Sequence, residues 1–294
     1  MNDHILIATA YHGEARIYVS YTKDLVEQAR SIHQTWPTAT AALGRLLTAA
    51  AMMSFFNKDD SQLTLRIDGD GPLESVVSEA NYLGEVRGLV KNSEVYLKDN
   101  KTNKLAVGKA IGNGFLTVIR NPGLKTAFTS SIELISGEVA EDLTYYFTTS
   151  EQTPSSVGLG VLIAPNNTVD EAGGFIIQLL PNASENTIIA IENALKEISA
   201  VTSYFKAGLT TLDLLAQLAS NTQKILFKHD LIYRCGCDKQ YYKKTLAKLD
   251  AETLNTLIKE DQGAEVVCHY CKTKYYFTAT ELQTILDHKK TTSR

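Results

Sequence analysis

The sequence has no surplus of positive charge and no apolar run long enough to cross a membrane. Its 294 residues carry a formal net charge of -4, whereas surfaces for nucleic acid or anionic lipid need clustered Lys and Arg. The longest apolar stretch, residues 41–56, contains Arg45 and falls short of the roughly 18 to 20 apolar residues of a membrane span. Residues 1–13 lack the basic start and long apolar core of a secretory signal. These absences predict a cytoplasmic protein without nucleic-acid or membrane partners.

Common patterns of catalysis and nucleotide binding are missing as well. The glycine-rich loop at residues 68–72 lacks the Lys-Ser/Thr of a P-loop and the spacing of a dinucleotide fingerprint, so a simple connection between strands explains it better. Residues 1–180 show no Ser-His-Asp order and no paired-carboxylate pattern. The sequence therefore predicts that the protein is not an enzyme. An enzyme with its active-site pocket in residues 1–180 is the weakest of the functional hypotheses considered below.

Cysteine is scarce, and its placement is the most informative feature of the chain. The only four cysteines form a CxC pair, Cys235 and Cys237, and a CxxC pair, Cys268 and Cys271. Two short pairs of sulfur ligands predict one tetrahedral zinc site per chain. The site is either a closed structural staple or a switch, since each pair is close enough in sequence to form a local disulfide once zinc leaves. A permanent disulfide scaffold is the third interpretation, but it suits short secreted chains.

The pattern of residues 1–180 predicts a strand-rich N-terminal α+β domain. The hydrophobic content of the whole chain, 44%, is enough for a sizeable core. Thr38 is expected to cap the second helix. The predicted strands form a hairpin at 4–20 and follow at 63–67, 73–78, 84–90, 105–110, 115–120, 153–163 and 173–180, and the predicted helices cover 22–34, 38–57 and 140–150.

Two further segments complete the predicted organisation. Pro181-Asn182 marks the start of a helical linker at 181–231, in which Ser184 and Thr210 are expected to cap amphipathic helices. Residues 232–294 form a small C-terminal zinc-binding domain with helices predicted at 239–248 and 251–261, and a last helix capped by Thr280. From Cys235 onward ten Lys and Arg stand against eight Asp and Glu, a net of +2 that is too small to require nucleic acid.

The chain resembles the heat shock protein 33 family of bacterial, redox-regulated holdase chaperones along nearly its whole length. The most specific part of the resemblance is the CxC pair followed by the CxxC pair. The other segments that carry it are Thr35-Trp36-Pro37-Thr38 leading into residues 41–45, then residues 69–72, 150–158 and 173–178.

The resemblance implies a switch between two states of the cysteines. It implies zinc bound by Cys235, Cys237, Cys268 and Cys271 in a reduced, inactive protein, and disulfides Cys235–Cys237 and Cys268–Cys271 in an oxidised, active homodimer. Structural zinc contributes roughly 10 to 16 kcal/mol of folding free energy in small zinc peptides, so its loss is expected to unfold the tail. The apolar faces of the helices at 184–219 would then no longer be covered by the rest of the protein.

The exposed helices would bind unfolding client proteins through apolar side chains, without ATP, under oxidative and heat stress. The predicted client-binding residues are Ile188, Ile191, Leu195, Ile198, Leu214, Leu215 and Leu218. A nucleic-acid-binding protein built on a zinc ribbon is the main alternative, and the lysines at 243, 244, 272 and 274 are what it rests on.

Overall fold

The structure is a computed structural model that describes residues 1–56, 62–121, 127–181 and 183–292. It contains two compact units, Met1–Arg234 and Cys235–Arg294. Both units mix helices and strands, which confirms the predicted α+β class. The three-part division with a separate linker at 181–231 stays a prediction. No helix among the described residues is both long and apolar enough to cross a membrane.

The first unit contains two sheets and seven helices among its described residues. One sheet is antiparallel, in the order β10-β1-β2-β9-β8, and the other has the order β11-β5-β4-β3-β6-β7. The strands are β1 (His4–Ala10), β2 (Ala15–Tyr21), β3 (Gln62–Gly69), β4 (Ser75–Asn81), β5 (Glu85–Val90), β6 (Gly114–Asn121), β7 (Phe128–Glu133), β8 (Ser155–Ile163), β9 (Val169–Leu179), β10 (Lys224–Asp230) and β11 (Ile232–Tyr233). The helices are α1 (Lys23–His33), α2 (Pro37–Met53), α3 (Val107–Ile111), α4 (Val139–Thr149), α5 (Glu185–Lys196), α6 (Val201–Lys206) and α7 (Thr211–Leu218).

Helix α2 is the centre of the main core, as its nearly continuous apolar sequence predicts. Its residues pack against strands of both sheets, and Leu43, Leu46 and Leu47 are fully buried there. A β-carbon at Gly44 would lie 2.6 Å from Val26, so glycine is what lets α1 and α2 approach this closely. A helix covered on all sides needs no polar face, and this explains why α2 has none.

Several predictions about elements in the first unit were wrong. Thr38 does not cap α2, because Pro37 is already its first residue and Thr38 lies inside the helix, hydrogen-bonded to Leu97. The strand predicted at 105–110 is mostly helix α3, since a short apolar run does not distinguish a strand from a buried helix. The strand predicted from Leu73 begins at Ser75, and strand β7 was not predicted. The end of the second helix predicted at about residue 57, and Asn182 in the predicted boundary, lie outside the described residues.

A second core lies on the other face of the five-stranded sheet, where helices α5 to α7 pack. The predicted caps are confirmed: Ser184 accepts a hydrogen bond from the amide of Thr187, and Thr210 forms a capping box with Asp213. The second core is a hydrophobic cluster in which side chains of the strands pack against side chains of the helices. Its buried members include Leu6, Ile17, Val19, Phe175 and Ile177 from the strands, and Ile191, Val201, Phe205, Leu214, Leu215 and Leu218 from the helices.

The second unit is a small domain whose apolar residues come from three helices and one hairpin. Its elements are α8 (Lys239–Leu246), α9 (Ala251–Lys259), β12 (Gly263–Val267), β13 (Lys274–Thr278) and α10 (Ala279–Thr292), and its buried core is Leu246, Leu254, Phe277, Leu282, Ile285 and Leu286. The two strands pair antiparallel and were not predicted. The predicted cap at Thr280 is wrong, because α10 begins one residue earlier and the hydroxyl of Thr278 accepts the hydrogen bond from the amide of Glu281.

Asp3 supports the start of α1 from a buried position. Its carboxylate accepts hydrogen bonds from the amides of Asp24 and Leu25, where α1 has no side-chain cap of its own. Burial raises the pKa of Asp3 from 3.8 to about 6, and the two amides only partly oppose this rise. The folded state therefore holds the proton more tightly than the unfolded state, so the contribution of Asp3 to stability is full below about pH 4 and is lost as the pH rises through about 6.

We expect Asp3 to make the first unit less stable at about pH 7.5 than at about pH 5, by about 1 kcal/mol in the free energy of unfolding. The Asp3→Asn variant should lack this pH dependence. Denaturant unfolding followed by the fluorescence of Trp36, the single tryptophan, measures the first unit. The control is Asp24→Asn at the neighbouring exposed acid. An equal pH dependence in wild type and Asp3→Asn would show the expectation to be wrong.

Candidate metal centre

One cysteine pair of the second unit lies in an irregular segment and the other in a turn. Cys235 and Cys237 precede α8, whose N-terminus is capped by Asp238: its side chain accepts a hydrogen bond from the amide of Tyr241. Cys268 and Cys271 lie in the turn between β12 and β13. In that turn the amide of Cys268 donates to the carbonyl of Thr273, and the amide of Lys272 donates to the carbonyl of Cys268. The hairpin pairing thus fixes the CxxC turn, and the capped start of α8 fixes the residues after CxC.

The structure brings all four predicted ligands into one cluster. Their Sγ atoms all lie within 4.8 Å of one another, a spacing at which they could hold a metal ion. Sγ of Cys235 lies 3.7 Å from Sγ of Cys268, and Sγ of Cys237 lies 3.3 Å from Sγ of Cys271. None of the four forms a disulfide. Because each short distance joins one pair to the other, the cluster ties the start of α8 to the β12–β13 hairpin.

The cluster is buried on one side and open on the other. Cys268 is buried, with 2% of its surface exposed, whereas Cys235, Cys237 and Cys271 are half-buried. His269 lies between the CxxC ligands in sequence, but its side chain is exposed and it is not part of the cluster. The donor set is therefore sulfur alone, which is the choice of soft metals.

The surroundings affect the thiols unequally. Burial acts to raise the pKa of Cys268, but hydrogen bonds from the Tyr242 hydroxyl and from the backbone at Cys271 and Tyr270 outweigh it and lower the pKa to about 6. Burial, partly opposed by the hydroxyl of Tyr275, raises the pKa of Cys237 above its ordinary value. Four thiols this close repel one another once ionised, so full ionisation of the cluster needs a cation at its centre.

Three hydroxyl side chains next to the sulfurs were missed by reasoning from sequence. The Tyr275 hydroxyl lies 3.3 Å from Sγ of Cys237, and the Thr273 hydroxyl lies 3.2 Å from Sγ of Cys271. The third is the Tyr242 hydroxyl, which lowers the pKa of Cys268. A signal for Tyr275 exists in the alternation of β13, where Tyr275 and Phe277 face inward and Tyr276 outward. That signal is readable only once β13 is recognised as a strand.

The predicted client-binding residues all lie on or beside α5 and α7 of the first unit. Ile191, Leu214, Leu215 and Leu218 are buried against the five-stranded sheet. Ile188, Leu195 and Ile198 are half-buried, and Leu195 and Ile198 pack at the edge of the same cluster. In this state of the protein the sheet thus covers most of the predicted surface, and its role in binding stays a prediction.

Known proteins resemble the chain over nearly its full length. A family model described as Hsp33 protein matches residues 3–278. A 33 kDa chaperonin from Acholeplasma laidlawii is 47% identical over 292 residues, which cover 98% of this chain and 100% of that protein. A 33 kDa chaperonin from Staphylococcus aureus is 42% identical over 288 residues, with 97% and 98% covered. The crystal structure of a 33 kDa chaperonin from Thermotoga maritima, a heat shock protein 33 homolog, has a TM-score of 0.92 at 34% identity and covers 99% of this chain and 100% of that chain.

Proposed function

The chain belongs to the Hsp33 family, and from this premise we propose that it is a redox-regulated, ATP-independent holdase that binds unfolding proteins under oxidative and heat stress. The observation that carries the redox part is the cluster of four sulfur atoms within 4.8 Å of one another. The names of the relatives support the chaperone part. The protein acts by binding and release, and it catalyses no reaction.

Zinc is the metal that this site fits best. Zinc–sulfur bonds of about 2.3 Å in a tetrahedron place neighbouring sulfurs about 3.8 Å apart, and Sγ of Cys235 and Sγ of Cys268 are 3.7 Å apart. Bound zinc keeps the sulfurs deprotonated and contributes folding free energy to the second unit. Cys235, Cys237, Cys268 and Cys271 would hold one ion per chain in the reduced, inactive state.

In this proposal, oxidation of the cysteines by hydrogen peroxide converts the protein from its inactive to its active state. The thiolate of Cys271, more exposed than that of Cys268, attacks one peroxide oxygen, so an S–O bond forms, the O–O bond breaks and hydroxide leaves. The Cys268 thiolate then attacks the oxidised sulfur, and the disulfide forms as a second hydroxide leaves. The same steps join Cys235 to Cys237 at the cost of a second peroxide. Each disulfide thus takes two electrons from sulfur and reduces one peroxide to two hydroxide ions, which become water on taking up two protons.

In this proposal, unfolding of the second unit reaches helices α5 to α7 along the stretch of backbone that connects them. Strand β11 ends two residues before Cys235 and has only two residues, which pair with β5, and the Tyr233 hydroxyl donates to the carbonyl of Gly88. Strand β10, an edge strand, comes before it, and α7 before that. We propose that unfolding of the second unit spreads along this route, and that mild heat helps because β11 is short and β10 is paired on one side only. The apolar faces of α5 to α7 and of the sheet beneath them would then bind clients.

Glu14 fastens the start of α5 to the turn between β1 and β2. Its Oε2 accepts hydrogen bonds from the hydroxyl of Thr187 and from the amide and hydroxyl of Ser184, at 2.5, 2.9 and 2.7 Å. These bonds, the one from Thr187 foremost, lower the pKa of Glu14 to about 2, so the carboxylate stays charged at any physiological pH. The negative charge also faces the N-terminus of a helix, where it is favourable.

We expect the Glu14→Ala variant of the reduced protein to release α5 and to gain chaperone activity without peroxide. Hydrogen exchange of the α5 amides should become severalfold faster, since the donors of Ser184 and Thr187 lose their shared acceptor. Glu185→Ala, which removes an exposed acid in the first turn of α5, is the matched control. Unchanged exchange in α5 would show that Glu14 does not hold the helix. Faster exchange without any gain in aggregation suppression would count against α5 as part of the client surface.

The remaining proposals concern compartment, assembly and the main alternative. We place the protein in the cytoplasm, where thiols stay reduced until stress oxidises them, and we propose that the active form is a homodimer. Nucleic-acid binding finds less support, because Lys274, one of the four lysines on which it rests, is ion-paired with Glu265 at 3.1 Å. Zinc content and thiol count before and after peroxide test the metal and redox proposals, and sedimentation of both forms tests the homodimer. A reduced protein without zinc, or an oxidised one that is monomeric at every concentration, would contradict the corresponding proposal.

A further inference from the structure

A tyrosine hydroxyl acts on one sulfur of each cysteine pair. The Tyr275 hydroxyl lies 3.3 Å from Sγ of Cys237 and donates to the carbonyl oxygen of the same residue at 3.0 Å. On the other pair, the Tyr242 hydroxyl lowers the pKa of Cys268, the buried sulfur. Tyr242 belongs to α8 and Tyr275 to β13. Tyrosine hydroxyls that are not ligands themselves therefore influence both pairs of ligands.

The two tyrosine rings also support each other. Their centroids are 5.2 Å apart with an interplanar angle of 39°, and both rings are half-buried. A contact of this kind limits the ring rotations, so the hydroxyls are held at the sulfurs and are not free to turn toward solvent. The neighbouring tyrosines behave differently, since Tyr241 and Tyr276 are 58% and 61% exposed.

Whether the sulfurs are thiols or thiolates decides whether these hydroxyls accept or donate the hydrogen bond. A thiol can donate its proton to the hydroxyl oxygen, but a thiolate only accepts, so at an ionised cluster the tyrosines must be the donors. The hydroxyl of Tyr275 then has two acceptors within reach, the carbonyl oxygen and the charged sulfur of Cys237, and charge favours the sulfur. A hydrogen bond to a thiolate disperses its negative charge, which weakens its attack on peroxide and fixes its direction.

We propose that the hydroxyls of Tyr242 and Tyr275 are positioning groups that hold the zinc-bound sulfurs and set how much peroxide is needed to oxidise them. This inference rests on the proposed zinc switch. With the hydroxyls present, the sulfurs keep their metal and react slowly. Without them, the metal leaves more readily and the sulfurs are oxidised at lower peroxide, although all four ligands remain.

The test uses the full chain with Tyr242→Phe, Tyr275→Phe and the double substitution. Phenylalanine keeps the ring contact and removes only the hydroxyl. The controls are Tyr241→Phe and Tyr276→Phe, which remove hydroxyls from the exposed neighbours. Three quantities are measured: zinc affinity by competition with a chelator, the rate of zinc release after addition of peroxide, and the energy of the sulfur-to-metal charge-transfer band of the cobalt-substituted protein.

In each single variant we expect zinc affinity to fall about 10-fold and peroxide-driven release to become about fivefold faster. The cobalt band should shift to lower energy as the sulfurs become more electron-rich, a change that a merely structural role would not produce. The two controls should match the wild type in all three measurements.

The outcomes separate this inference from the zinc switch itself. A wild type that binds no zinc, or keeps it in peroxide, overturns both. A wild type that binds and releases zinc, together with Phe variants that match it in affinity, rate and band energy, overturns the role of the hydroxyls alone. Equal effects in the variants and in the controls would also overturn it, because the cause would then be a general loss of tyrosine hydroxyls.

Discussion

Oxidation with peroxide at mildly raised temperature is expected to turn an inactive preparation of this protein into one that suppresses aggregation of an unfolding client. The chemical reason is that sulfurs held around zinc are thiolates, the form that peroxide attacks. Each thiolate has a resolving partner two or three positions away along the chain. We expect the CxxC pair to react before the CxC pair, because a disulfide across two intervening residues closes with less strain than one across Gly236 alone.

Light scattering of a denaturing client measures this prediction directly. At an equal ratio to the client, the oxidised protein should remove most of the scattering, whereas the reduced, zinc-loaded protein should leave it nearly unchanged. Reductant with added zinc should restore the inactive state. The matched control is a variant with all four cysteines replaced by serine, whose activity should not respond to peroxide.

The switch hypothesis fails if oxidised and reduced wild type protect the client equally. The cysteine cluster would then be a structural staple, and the chaperone activity would need another trigger. Thiol mapping by mass spectrometry during oxidation adds a check on the order of events. Protection that appears before any cysteine has reacted would likewise exclude the disulfides as the cause.

Replacement of a single cysteine is expected to have the largest effect on structure. In Cys237→Ser and in Cys268→Ser the site loses one of its four ligands, so zinc binding should fall to a small fraction of one ion per chain. Among its described residues, the second unit has a buried apolar core of six side chains, whereas structural zinc contributes roughly 10 to 16 kcal/mol in zinc peptides. We therefore expect the second unit to unfold in both variants.

Metal analysis and limited proteolysis measure this second prediction. Cleavage should concentrate after residue 234, while the fluorescence of Trp36 reports that the main core around α2 stays folded. His269→Ala, in the same turn as Cys268, is the control and should keep its zinc, because His269 is exposed and not part of the sulfur cluster. A full zinc load in both serine variants would rule out the four-cysteine site, and a full load in only one of them would place His269 or another group among the ligands.

The cysteine cluster was predictable because its information is local. Within each short pair the two sulfurs must lie close together, whatever the fold around them. The sequence left open only whether the pair ending at Cys237 and the pair beginning at Cys268 would meet in space. Ser184 and Thr210 were predictable as caps for the same reason, since a cap is satisfied within one helical turn.

Other features depend on partners that are distant in sequence. Residues 107–110 lie in α3, which packs on α2, a contact that no short pattern reveals. Thr38 was expected at a helix end, but its hydroxyl is satisfied by Leu97, 59 positions away. Tyr242 and Tyr275 were invisible as neighbours of the sulfurs until α8 and β13 were placed together.

The position of α5 to α7 between two strands of one sheet sets how reversible the client-binding state is. The strands on either side of residues 180–223, β9 and β10, both belong to the five-stranded sheet, so the helices leave it as a loop anchored at both ends. If β9 stays in the sheet when β10 leaves it, a released segment stays near its own binding surface at an effective concentration of about a millimolar, whatever the protein concentration in the cell. In the proposed active state a client would have to compete with that tethered segment, which would favour return of the helices once the stress has passed.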